Sequence, residues 1–190
     1  MTKEIYTTDN QKTYDIPANE TLVIHHYSID SDAHIIINLL GNNAQVEYHY
    51  STINYGNHTF KITVNHLSAN TSSSIYNHGI NVLNNQLIFD VCGVIPKTSS
   101  KVVCNQENQI INLQEGFSEI CPKLLIDNYD TVSNHAAYIG KFKPEVLFYL
   151  ESRGLTAKSA IRMLTTSLLL NGGNHEEPIV EKFLNKVGEI

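Results

Sequence analysis

The 190 residues are 42% apolar and 17% charged, which suits a folded globular chain and excludes a disordered one. The net charge is −6, and the 13 Lys and Arg form no basic run, so nucleic acid is not an expected partner. No stretch of about 18 apolar residues is present, so no membrane span is expected.

The first ten residues, Met1–Asn10, are polar, carry Glu4 and Asp9, and lack the basic-then-apolar layout of a secretory signal. Strand patterning starts near Thr21 and continues to about Ile126. The expected strands are Leu22–Tyr27, His34–Leu40, Gln45–Tyr50, Thr59–Asn65, Ser74–His78, Gln86–Val91, Lys101–Asn105, Gln109–Leu113 and Lys123–Asp127. In Gln45–Tyr50, Val46, Tyr48 and Tyr50 share one face while Gln45, Glu47 and His49 share the other, the period-two signature of a strand. Turn clusters separate the runs, among them Gly41-Asn42-Asn43, Tyr55-Gly56-Asn57 and Asn70–Ser73. An antiparallel sandwich and a solenoid with two strands and about 25 residues per coil both fit this spacing.

Helical patterning begins at Lys143. Pro144 suits a first helical position, and Gly154 suits the left-handed residue that ends a helix. Leu147, Phe148 and Leu150 form the apolar stripe between them. Thr156 can cap a second helix, with Ala160, Met163, Leu164, Ser167 and Leu168 at helical spacing. Asn171-Gly172-Gly173-Asn174 breaks that helix. Pro178 opens a third, with Ile179, Val180, Phe183, Leu184 and Val187 on one side. Helices this short do not persist alone, so they must pack on the strands or on another protein. Two regions result, a strand core over 1–140 and a helical tail over 141–190.

Few residues suggest chemistry. The nine histidines form no HExxH, and no Cys-x-x-Cys accompanies them, so no metal site is expected. His25 and His26 are adjacent and must point to opposite faces of a strand. His58, His66 and His78 fall at expected turns or strand ends, so surface or half-buried positions are anticipated. The three cysteines are odd in number and poorly spaced for a disulfide framework, which points to a reducing cytoplasm. Cys92 and Cys104 lie in apolar runs and read as small core residues. Cys121, beside Pro122 and near Glu119, is the more exposed thiol. There is no Gly-x-Ser-x-Gly and no Gly-rich phosphate loop, so the chain is not expected to be an enzyme.

One stretch is more specific. Between Asn108 and Leu170 stand Pro122-Lys123-Leu124-Leu125-Ile126, Asn134-His135-Ala136-Ala137, Gly140, Phe148-Tyr149-Leu150-Glu151-Ser152-Arg153-Gly154-Leu155 and Ala160. Gly93–Lys97 and Gln106-Glu107-Asn108 extend the pattern upstream. These residues closely resemble the carboxy-terminal core of the SufB/SufD family, components of the Suf iron–sulfur cluster assembly machinery. The resemblance implies a mainly β fold: a right-handed parallel β-helix (solenoid) with a small C-terminal α-helical domain. It implies a scaffold that docks a SufC-type ABC ATPase through the segment holding Phe148, Tyr149, Ser152, Arg153 and Gly154. It also implies pairing, through the ends of the β-helix, with a second SufB/SufD-like chain or with a copy of itself as a homodimer.

His135 matches a histidine that SufD-type members place near the cluster-forming interface. Cys121, where the family does not usually have a cysteine, is the other cluster-interface candidate. No firmly bound cofactor is implied, only a transient iron–sulfur cluster. Gly116 stands where SufB-type members use a cysteine, and Ser133 where a cysteine often precedes the histidine by two. The chain is also less than half the usual family length. It is therefore SufD-like more than SufB-like. Two alternatives stay open: a β-helix interaction module without cluster chemistry, and a polysaccharide-acting β-helix protein. The latter would need clustered Asp or basic residues along one face, which the sequence lacks.

Overall fold

A computed structural model describes residues 1–190, with eleven strands followed by three helices. The strands are β1 (Thr2–Thr7), β2 (Gln11–Ile16), β3 (Thr21–Ile29), β4 (Ala33–Leu39), β5 (Gln45–Asn54) and β6 (His58–His66). They continue as β7 (Ser72–Asn81), β8 (Gln86–Ile95), β9 (Val102–Asn112), β10 (Phe117–Ile126) and β11 (Thr131–Gly140). The helices are α1 (Pro144–Ser152), α2 (Ala157–Leu170) and α3 (Pro178–Val187).

Odd strands form one sheet in the order β1-β3-β5-β7-β9-β11, and even strands form a second in the order β10-β8-β6-β4-β2. Every pairing is parallel. That excludes the antiparallel sandwich and leaves the solenoid. Each even strand carries the chain to the opposite sheet, so the next odd strand returns one layer further along. No helical crossover is needed.

Thr2 lies beside Thr21, Thr21 beside Gln45, Gln45 beside Ser72, and Ser72 beside Val103, so the step per coil grows from 19 to 31 residues. A drifting step leaves no fixed sequence period. The corners are more regular than the step. Asn19, Asn43, Asn70 and Lys101 each precede an odd strand by one or two residues and all have positive φ, between 53 and 61°. Asparagine tolerates that left-handed conformation better than most residues. The Asn43 side chain also donates to Asn19 Oδ1 one coil away, at 2.8 Å.

The inner core lies between the sheets. Ile24, Val46, Tyr48, Tyr50 and Ile75 from the first sheet meet Ile35, Ile37, Phe60, Ile62, Val64, Phe89 and Val91 from the second. Tyr50 and Phe60 stack at 3.7 Å between centroids, and Phe89 meets both edge-on. A second core covers the outer face of the first sheet. There Tyr27, Ile53, Ile80 and Ile111 pack against Leu169 of α2 and Val180, Phe183 and Val187 of α3.

This second core explains why several strands outrun their expected ends. β5 alternates as expected through Tyr50, then stays buried on both faces through Asn54 because the tail covers it. β3 and β7 extend past Tyr27 and His78 on the same edge of the sheet. β9 joins two expected strands into one. β1, β2 and β11 were not anticipated as strands. β1 and β11 are edge strands, partnered on one side only, and mostly exposed, so alternation is weak there. Pro122 sits inside β10, also an edge strand, where a missing N–H is tolerated.

The histidine expectation needs correction. His25, His26 and His66 are buried, and His78 lies inside β7. His66 ends β6 yet faces inward, where Thr71 Oγ1 and Ser73 Oγ hold its two nitrogens at 2.8 and 3.0 Å. Cys104 is buried as expected. Cys92 is only half-buried, because its position in β8 alternates with inward-facing Val91 and Gly93.

Candidate partner-binding surface

Two surfaces hold the sequence-predicted residues. The first is α1. Pro144 occupies its first turn, where the missing N–H would have been unpaired anyway. Gly154 follows the helix at φ +93°, the left-handed conformation that lets the chain reverse into α2. Thr156 then caps α2, its hydroxyl accepting the Ser159 N–H at 3.2 Å.

α1 buries no residue completely. Leu147 and Leu150 are half-buried towards the body of the protein. Phe148 and Tyr149 are 73% and 55% exposed, so neither seats the tail. The Arg153 guanidinium lies 5.2 Å from the centre of the Tyr149 ring, a cation–π arrangement that holds the arginine in place with no carboxylate partner. The Ser152 hydroxyl donates to the Tyr149 carbonyl at 2.6 Å and is occupied within the helix. Phe148, Tyr149 and Arg153 thus form a solvent-facing aromatic and cationic cluster. Beside it, a cleft of about 320 Å³ lined by Ile111, Tyr138, Phe142, Val146 and Leu164 separates α1 and α2 from the end of β11.

The second surface is the open end of the solenoid, where β10 and β11 have no further coil to cover them. Ile126, Tyr129, Val132 and Ile139 are exposed there. His135 pairs in register with Gln106. Gln106 is buried, so His135 shares its inward parity and stands at the mouth of the last coil. Gln106 Nε2 donates to the Lys123 carbonyl at 3.3 Å, whereas its Oε1 has no partner.

Cys121 lies elsewhere. It belongs to β10 in the other sheet, and in strand parity it falls with Glu119 and Lys123, opposite to half-buried Ile120 and Leu124. Its thiol donates to Glu119 Oε1 at 3.0 Å. That hydrogen bond, with slight burial and the carboxylate charge, pushes the thiol up from its usual range. A thiol held protonated is a poor metal ligand. The structure therefore does not bring His135 and Cys121 together, and no group of three His, Cys, Asp or Glu side chains is placed to hold a metal ion.

The chain is thus a parallel solenoid that ends in an exposed coil, with a helix that shows its aromatic side chains to solvent beside it. Residues 11–168 match the family described as SUF system FeS cluster assembly, SufBD core domain. The chain belongs to the SufB/SufD family. It is also similar to the iron–sulfur cluster assembly protein SufD of Bacillus subtilis (strain 168), with 32% identity over 111 residues. That match covers 58% of this chain and 25% of the relative. No helix is long and apolar enough to cross a membrane.

The sequence did not reveal that α2 and α3 turn back onto the first sheet, while α1 packs on α2 and leaves its aromatic side uncovered. The available signal was the outward-facing Ile53 and Ile80, which break the polar side of their strands. They needed a cover.

Proposed function

We propose that the chain is a SufD-like scaffold component of iron–sulfur cluster assembly, docking a SufC-type ATPase through α1 and acting without catalysis of its own. The observation that carries this reading is the exposed cluster of Phe148, Tyr149 and Arg153 on a helix that buries nothing completely. Aromatics and arginine are the residues that dominate binding energy at protein interfaces. The open mouth at β10 and β11 is the surface for a second SufB/SufD-like chain or a second copy, and it sets His135 in that contact. A cluster in transit would be cargo there and not a resident cofactor. The three free cysteines suit a reducing compartment, which supports a cytoplasmic site of action.

The test is titration of a purified SufC-type ATPase against the chain. Complex formation is expected, and Arg153→Glu and Phe148→Ser should each weaken it by roughly thirtyfold, the loss of a hot-spot side chain. Equal binding by wild type and both variants would remove α1 as the docking surface. The protonated Cys121 thiol favours a second reading, docking without cluster chemistry. Anaerobic reconstitution with iron and sulfide separates the two. Visible absorption that disappears in His135→Ala supports cluster handling at the mouth.

A further inference from the structure

Positive charge is unevenly placed along the chain. Residues 1–140 hold thirteen Asp and Glu against six Lys, whereas residues 141–170 hold two Glu against five Lys and Arg. Of those five only Lys141 has a carboxylate partner, Glu115; the other ion pairs lie outside the segment. Both arginines of the chain, Arg153 and Arg162, fall within it, and α2 carries Lys158 and Arg162 with no carboxylate at all. Two unpaired cations thus face water on a protein whose net charge is −6.

The α2 cations border an open groove. It has a volume of about 710 Å³, and Lys158, Arg162, Met163, Thr166, Ser167 and His175 line it, with no Asp or Glu among its walls. The α2 residues recur at steps of three and four, so they share one face of the helix. The groove opens at Thr156, the cap of α2, where the helix dipole adds positive potential. Arg162 is held in place, because its Cζ lies 3.7 Å from where a Cβ on Gly188 would stand, against the end of α3. Met163 is 45% exposed and offers an adaptable apolar contact.

This groove continues the α1 surface. It begins three residues past Arg153, and α1 packs on α2, so the aromatic cluster and the groove sit on one body. The spacing of the cations tells what fits them. A single phosphate needs donors that converge on one point, whereas Lys158 and Arg162 stand one helical turn apart along an open face. A row of carboxylates one turn apart on a second helix matches that spacing.

We propose that the α2 groove receives an acidic helix of the partner docked on α1, which rests on the reading of α1 as the docking surface for a SufC-type ATPase. Carboxylates four residues apart on that helix meet Lys158 and Arg162, while Phe148 and Tyr149 supply the apolar anchor. The two parts then do different work. Buried anchors set how long a complex lasts, and unpaired rim charges set how fast it forms and with which partner. The acidic strand core repels the same helix, so the field of the whole chain steers it to the tail.

A synthetic helical peptide with Glu pairs four residues apart, and its Gln counterpart, probe the groove without the ATPase. Amide spectra of the full chain should shift over residues 156–170 with the Glu peptide and not with the Gln peptide. Those shifts should fade as salt rises from about 50 to about 500 mM. They should vanish in Lys158→Glu and persist in Phe148→Ser. Lys158 is exposed, and a carboxylate suits the first turn of a helix, so the charge reversal keeps the fold. A Glu peptide that moves no amide of α2, or a Gln peptide that moves them equally, overturns the proposal.

Association with the ATPase is the second arm. Lys158→Glu should slow association about fivefold at about 50 mM salt and flatten its salt dependence, with dissociation nearly unchanged. Phe148→Ser should instead hasten dissociation and keep the salt dependence. Unaltered association in Lys158→Glu removes the acidic helix from the groove and leaves docking on α1 in place. No complex with the wild-type chain removes both.

Discussion

The two cores of this protein share one sheet but are assembled differently. The inner core is filled by coils stacked on their immediate neighbours, so each layer supports the next. The outer core joins residues far apart in the chain; the Tyr27 hydroxyl, for instance, meets the Leu170 carbonyl across 143 positions. Removing a layer of the inner core therefore breaks the stack, whereas freeing the tail leaves every strand pairing intact. The fold holds its strand stack rigid and its helical tail adjustable.

The largest expected effect probes that difference directly. Phe60 is buried and packed among Tyr48, Tyr50 and Phe89. Phe60→Ala should cost about 3–5 kcal/mol, seen as one earlier urea transition for the whole chain. Phe183, equally buried but in the outer core, should cost no more than about 3 kcal/mol when truncated, because the tail can move to close the gap. Its loss should raise hydrogen exchange in α2 and α3 while β6 and β8 stay protected. A Phe183→Ala variant that lowers the strand transition as far as Phe60→Ala would show one cooperative unit instead of two.

Acid should act on the inner core. Burial lowers the pKa of His26 and of His66 to about 4, against about 6.5 in an unfolded chain. Between those values the unfolded state binds more protons, so stability is full above about pH 6.5 and declines as pH falls towards 4. The loss approaches about 3 kcal/mol per histidine below pH 4. Urea midpoints measured from about pH 7 down to pH 4 should trace this decline, and His66→Gln should make it shallower.

How much of this was readable in the residues depends on what shaped them. The inward rows Val46-Tyr48-Tyr50 and Phe60-Ile62-Val64 were plain because one face met the core and the other met water. Pro144, Gly154, Thr156 and Pro178 marked the helix ends because each backbone demand is local. β1 and β11 were not visible, since an edge strand at an open end has little burial to impose alternation. The solenoid repeat was hidden by steps that vary from 19 to 31 residues between coils, although Asn19, Asn43 and Asn70 recur at the same corner. Of the site, the α1 residues and His135 came from resemblance, and their exposure came only from coordinates. The separation of His135 from Cys121 depends on sheet assignment, which no local pattern carries.

The smallest effect concerns the join between the adjustable end and the helix it presents. Thr156 is exposed, and its hydroxyl accepts the Ser159 N–H while donating to the Ser159 hydroxyl at 2.9 Å. Thr156→Ala should cost about 1 kcal/mol, and Thr156→Ser should restore most of it, because only the oxygen is required. Neither core includes the cap, so the cost should stay in the first turn of α2, read as faster exchange at Ser159 and Ala160. If the urea midpoint of the strands moved as well, α2 would be coupled to the solenoid through its amino end. The boundary between rigid and adjustable regions would then fall before Thr156 and not after it.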